Sequence, residues 1–170
     1  MALTPAQQVT LKAAIIADPI LDAEPNNSDG AFAIAAALNV EAVPAYIVWR
    51  TAIDESEITA KVSDEATSWS WTSYIARADG ERDAWGRMFS ISGTIDASLP
   101  NVRQAMADIF SGGASGAAGQ RAHLLACGKR NATRAEKIFA TGAGTQGSPS
   151  TMEFEGALAY QDVQAARNLP

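Results

Sequence analysis

A chain of 170 residues with a formal net charge of −6 and a pI near 4.7 is long enough to bury a core in one domain without disulfides. Its one cysteine, Cys127, excludes an internal disulfide and fits synthesis in a reducing cytoplasm; its acidic balance disfavours a dedicated nucleic-acid binder, which needs a basic face against phosphate. No apolar run approaches the ~20 residues of a membrane span, and the N-terminus lacks the charged-then-apolar form of a signal peptide, so a soluble protein not exported by that route is expected.

Apolar residues make up 47%, much of it alanine, so bulky core formers are scarce and helices must approach closely on small side chains. That composition predicts a mainly α fold. Thr4-Pro5 starts a helix with Leu11, Ile15 and Ile16 as its stripe, ending before Pro19. The stretch Pro25 to Gly30 is turn chemistry, with Ser28 or Asp29 as cap for a helix over about Gly30 to Leu38. These two helices are expected to form an antiparallel hairpin, crossing tightly on Ala33, Ala36 and Ala37. From Asn39 to Ile53 the chain favours extended structure without an obvious partner strand, which predicts an extended arm or covering loop.

Asp54 and Glu57 form a capping-box pattern that opens the next helix. Trp69, Trp71, Tyr74, Ile75, Trp85, Met88 and Phe89 gather most of the aromatic mass and are read as core, with an aromatic ligand box as the lesser reading. Asp79, Glu81, Arg82 and Asp83 read as a solvated face. A helix runs from about Ser98 to Phe110 and ends at Gly112, Gly113, Ser115 and Gly116. Helix resumes over Ala117 to Cys127, with Lys129 and Arg130 in or after its last turn. Asn131 then caps a short helix, Ala132 to Ala140. Thr141 to Pro149 reads as a flexible arm, Met152 to Glu155 as an exposed alternating strand, and Gln161 to Asn168 as helix. The expected architecture is a compact bundle of six or seven helices with an extended internal arm and an extended C-terminal arm. Residues 1–130 form the helical domain, and residues 131–170, as helix, Gly/Ser-rich loop and docking tail, are either part of that same domain or its arm.

The segments LTPAQ, PNNSDGAFAIAAALN and VWRT, and the long block TRAEKIFATGAGTQGSPSTMEFEGALAYQDVQAARN, resemble the N-terminal and C-terminal blocks of a family of small virion proteins of tailed bacteriophages. The middle, roughly Asp54 to Ser90, resembles it least. The resemblance implies a structural protein of the neck: a head-to-tail adaptor, or connector, that forms a homo-oligomeric ring under the portal and continues the DNA channel. It further implies the portal protein and other neck or tail proteins as partners, residence in the virion after synthesis in the host cytoplasm, and DNA that passes without specific binding.

Chemical sites are few. Gly142-Ala143-Gly144-Thr145-Gln146-Gly147 matches G-x-G-x-x-G, but a helix is expected before it and Ser148-Pro149-Ser150 follows, whereas a dinucleotide loop needs a strand before and a helix opening within it. His123 and Cys127 share a helix face four residues apart, yet zinc needs further ligands and no second His or Cys exists. Glu153 and Glu155 read as an acidic edge and not as a catalytic pair, and Asn131-Ala132-Thr133 is a glycosylation sequon only in a secretory compartment. No catalytic residue, cofactor or metal is expected. The docking anchors expected in the tail are Met152, Phe154, Leu158, Tyr160 and Leu169. The alternative reading is a small enzyme or nucleotide-binding regulator that uses the Gly142–Gly147 loop and His123.

Overall fold

A computed structural model describes residues 2–60, 68–112 and 116–170. In chain order the elements are α1 (Pro5–Ala17), α2 (Pro19–Asp22), α3 (Ser28–Leu38), β1 (Ile47–Trp49), β2 (Ile53–Asp54), α4 (Glu55–Ala60), α5 (Trp71–Ile75), α6 (Asp79–Phe89), β3 (Thr94–Ile95), α7 (Pro100–Ile109), α8 (Ala117–Cys127), β4 (Lys129–Asn131), α9 (Arg134–Ile138), β5 (Ala140–Thr141), β6 (Thr151–Met152) and α10 (Tyr160–Arg167). The fold is mainly helical, as composition requires, but it has ten helices among the described residues. It also has two cores in place of the one expected. Residues 1–48 and 131–170 form one unit and residues 49–130 another. The chain thus divides differently from the 1–130 and 131–170 expected from its sequence, and it passes between units along β1 and β4.

The first unit is built by its two chain ends. Thr4 caps α1 reciprocally with Gln7: the Gln7 N–H donates to Thr4 Oγ1 at 3.3 Å and the Thr4 N–H to Gln7 Oε1 at 2.9 Å. Asp18 ends α1 and caps α2, its Oδ1 accepting from the Ile20 N–H at 3.0 Å. Asn27, not Ser28 or Asp29, caps α3 through the Gly30 N–H at 3.0 Å. A Cβ on Gly30 would lie 2.0 Å from the Pro25 carbonyl oxygen, so only glycine lets this turn close on the helix.

The expected α1–α3 hairpin gives way to an arrangement in which α10 packs against both helices. Leu11, Ile15, Ile34 and Leu38 share one core with Ala135, Phe139, Leu158, Val163 and Ala166. The C-terminal segment is therefore part of the core and not an extended arm. Each fully buried Leu or Val here contributes about 1.5–3 kcal/mol.

The internal stretch is likewise not an arm. Ile47 and Val48 are buried. The Ile47 N–H donates to Gly144 O at 2.8 Å, the Ser150 N–H to Ile47 O at 2.9 Å, and the Ala42 N–H to Ala132 O at 2.9 Å. Its partners, β4 and residues 144–150, lie some eighty to a hundred residues away in sequence, which is why no local pattern announces them. Thr133, not Asn131, caps the short α9 in a capping box with Glu136. Asn131 Oδ1 instead accepts from the Tyr46 N–H at 2.9 Å.

In the second unit the Asp54–Glu57 capping box forms: the Glu57 N–H donates to Asp54 Oδ1 at 2.7 Å and the Asp54 N–H to Glu57 Oε2 at 3.3 Å. β2 pairs antiparallel with β3, Ile53 opposite Ile95. Trp85 is fully buried, stacked on Trp69 at 5.3 Å and edge-on to Phe89 at 5.0 Å, and its Nε1–H donates to Glu55 Oε1 at 2.8 Å. Phe110 completes this aromatic core, whereas Trp71 and Ile75, expected inside, are exposed. Lys129 and Arg130 follow the last turn of α8, as expected, and lie in β4. Of the residues expected to end α7, Gly113 and Ser115 lie outside the described residues.

Candidate interaction surface

The five expected anchors are distributed through the tail of the first unit, and none stands free. Leu158 is buried; Phe154 and Tyr160 are partly buried against the same core. Phe154 meets Phe139 with ring centroids 5.3 Å apart, and Tyr160 stacks on Phe32 at 4.0 Å. Met152 sits in β6 opposite Ala140, and Leu169 is half-buried with its carbonyl accepting from Lys12 Nζ at 2.6 Å.

Polar side chains fasten the irregular backbone around them. Asn39 grips Leu158 on both sides, accepting from its N–H at 2.8 Å and donating to its carbonyl at 3.0 Å. Buried Glu136 accepts from the Gly156 N–H at 3.0 Å, and Asp162 Oδ1 from the Leu3 N–H at 3.3 Å. These are carboxylate and amide groups meeting backbone donors that no strand or helix would otherwise satisfy.

The glycine-rich segment is the loop of a β-hairpin, with Ala140 opposite Met152 and Thr141 opposite Thr151. No helix opens within it, so it lacks the converging N–H groups that a pyrophosphate needs. Nor is it an arm. Gly144 lies against the Tyr46 ring, where a Cβ would approach Cε2 to 2.1 Å at a φ of +65°. The Tyr46 hydroxyl donates to Gly142 O at 3.1 Å and accepts from Ser150 Oγ at 2.8 Å. Gly144 thus serves a close backbone-to-ring contact.

His123 and Cys127 do come together, Cys127 Sγ lying 3.5 Å from His123 Nε2, but both are buried and that nitrogen is 2.8 Å from the Ile58 carbonyl. Among the described residues no group of three or more His, Cys, Asp or Glu is placed to hold a metal ion.

What the sequence reading missed is on α1. Its outward residues Ala6, Val9, Ala13, Ile16 and Ala17 are all exposed and none is charged. A solvent face would ordinarily carry charge. The signal was present: α1 has apolar residues at helical spacing on two faces, and only Leu11 and Ile15 turn inward. Charge is also unevenly divided. The first unit has nine acids and four bases, the second ten acids and nine bases.

At the foot of α1, Asp18 meets Arg134 at 2.7 Å. The Ile20 N–H, with burial acting against it and the Leu21 N–H and Arg134 adding to it, holds the Asp18 carboxyl below its ordinary value. A depressed folded-state value means that the stabilisation is present above the unfolded carboxylate value of about 4 and disappears as pH falls through the folded one. Asp18→Asn is therefore expected to lower stability at pH 7, and the gap from the parent protein to close below about pH 4. Denaturant titrations of both proteins at several pH values measure this; a gap that does not change with pH would show that the charge is irrelevant.

Comparison with protein families, with curated proteins and with solved structures returns no match for this chain.

Proposed function

We propose that the protein is a structural subunit of a tailed-phage virion, specifically a head-to-tail adaptor that assembles as a ring beneath the portal and continues the DNA channel. The observation that carries the reading is the way the resemblance maps onto the fold. The segments LTPAQ and PNNSDGAFAIAAALN and the C-terminal block are separated by some ninety residues, yet they form one unit with a shared core, while most of VWRT (Trp49 to Thr51) and the dissimilar stretch 54–90 fall in the other. Two blocks that bury one another are a single structural signal.

Two further features support an assembly role. The uncharged, exposed outer face of α1 has the composition of a subunit contact, whose buried centre is depleted in charge. The acidic first unit is unsuited to retaining DNA, because like charge repels the phosphate backbone.

The test is mass in solution, alone and with a portal protein. The reading predicts ring-sized assemblies or a stable portal complex, with Ile16→Glu reducing both by about tenfold or more, since a charge must then be buried unpaired. A protein that remains monomeric, ignores portal and binds nucleotide would contradict it and favour the enzyme reading.

A further inference from the structure

The first unit's four bases are not spread evenly. Lys12 is engaged with the carbonyl of Leu169, and Arg167 with the carbonyls of Glu24 and Pro25 at 2.8 and 2.9 Å. The remaining two, Arg134 and Lys137, lie one turn apart on α9 and open onto the same groove of about 380 Å³. Its aliphatic walls are formed by Leu21 in α2, Leu38 at the end of α3, Val43 on the following loop and Ile138 on α9.

The polar groups at its mouth leave an excess of positive charge. Arg134 pairs with Asp18 at 2.7 Å and donates to Ala37 O at 3.3 Å, which leaves further donors of its fork available. Lys137 is exposed, lies 5.4 Å above the Tyr46 ring and makes no ion pair among the described residues. Glu41, the acid of the neighbouring loop, is turned to Asn131 Nδ2 at 3.3 Å. Two cations and one anion therefore frame an apolar slot in a unit whose charge is otherwise strongly negative.

We propose that this groove docks a peptide segment of a partner protein in which an aliphatic side chain is followed closely by a carboxylate. The aliphatic group enters between Leu21, Leu38 and Ile138. The carboxylate meets the Lys137 ammonium and the free edge of the Arg134 guanidinium, a charge-assisted contact that an apolar slot alone would not provide. The volume lies at the small end of the range for binding clefts, about 300–1,000 Å³, which suits one or two side chains and not a folded domain. The inference does not rest on the virion reading, and either can fail without the other.

The experiment is an NMR titration of the full chain with the peptide acetyl-Gly-Leu-Asp-Leu-Glu-Gly-amide. Its Asn/Gln counterpart and hexanoate serve as the other arms. The acidic peptide is expected to shift the Val43 and Ile138 methyl signals saturably at about millimolar concentration or below, the weak end of the affinity scale. Lys137→Gln should weaken this by about twofold to fivefold, the value of an exposed ion pair. Val43→Asp, at a position 90% exposed and so harmless to folding, should abolish it by placing a like charge at the rim. The proposal is overturned by any of four results: no saturable shift, equal binding of the neutral peptide, hexanoate binding as tightly as the peptide, or variants that bind as the parent does.

Discussion

Val163→Asp is expected to unfold the first unit as a whole, residues 1–48 together with the tail, and not to loosen the tail alone. Val163 is fully inaccessible and belongs to the cluster that contains Leu11, Ile15, Ile34 and Leu38. The substitution removes an apolar side chain and leaves a carboxylate without a partner among aliphatic groups. Its cost is on the order of 4 kcal/mol or more, a large fraction of the 5–15 kcal/mol that typically separates folded from unfolded chains. Deleting residues 152–170 should do the same, because it also strips Leu158 and Ala166 from that cluster and removes the Leu158 backbone that Asn39 holds and the Gly156 N–H that Glu136 accepts from. A docking tail would behave in the opposite way: its removal would cost assembly and leave stability unchanged.

Trp85→Ala is the corresponding lesion in the second unit. The indole is fully buried, packed against Trp69, Phe89 and Phe110, with its Nε1–H on Glu55. Removing it opens a cavity at the centre of that core and orphans the Glu55 contact, for an expected loss of about 3–5 kcal/mol. Thermal or denaturant unfolding followed by the remaining tryptophans measures it. A loss under about 1 kcal/mol would mean that this aromatic cluster is a surface feature and not a core.

Local chemistry was the legible part of this sequence. Thr4-Pro5, the Asp54–Glu57 pair and the run from Ala117 to Cys127 carry their signals within a few residues, and each gives the element it announces. Elements defined by distant partners were not legible. Ile47 and Val48 look like an arm because the groups that satisfy them, at Gly144 and Ser150, are about a hundred residues away. The tail looks detachable because its approach is rich in glycine. Yet Gly144 is required by contact with Tyr46, and Leu158 is gripped by Asn39. Glycine here marks close approach, and in one dimension close approach and flexibility are written with the same letters. Exposure on α1 is a third case: Val9 and Ile16 have helical spacing just as Leu11 and Ile15 do, and only the packing of α10 decides which pair turns inward.

The central claim is that the last twenty residues fold into one core with the first forty-eight. Residue-resolved amide hydrogen exchange on Val163→Asp tests it most directly. The account predicts that amides of α1 and α3 lose protection together with those of α10, while amides of α6 and α8 in the second unit keep theirs. If α1 and α3 remain protected and only residues 152–170 exchange, the tail is an arm after all and the account is wrong.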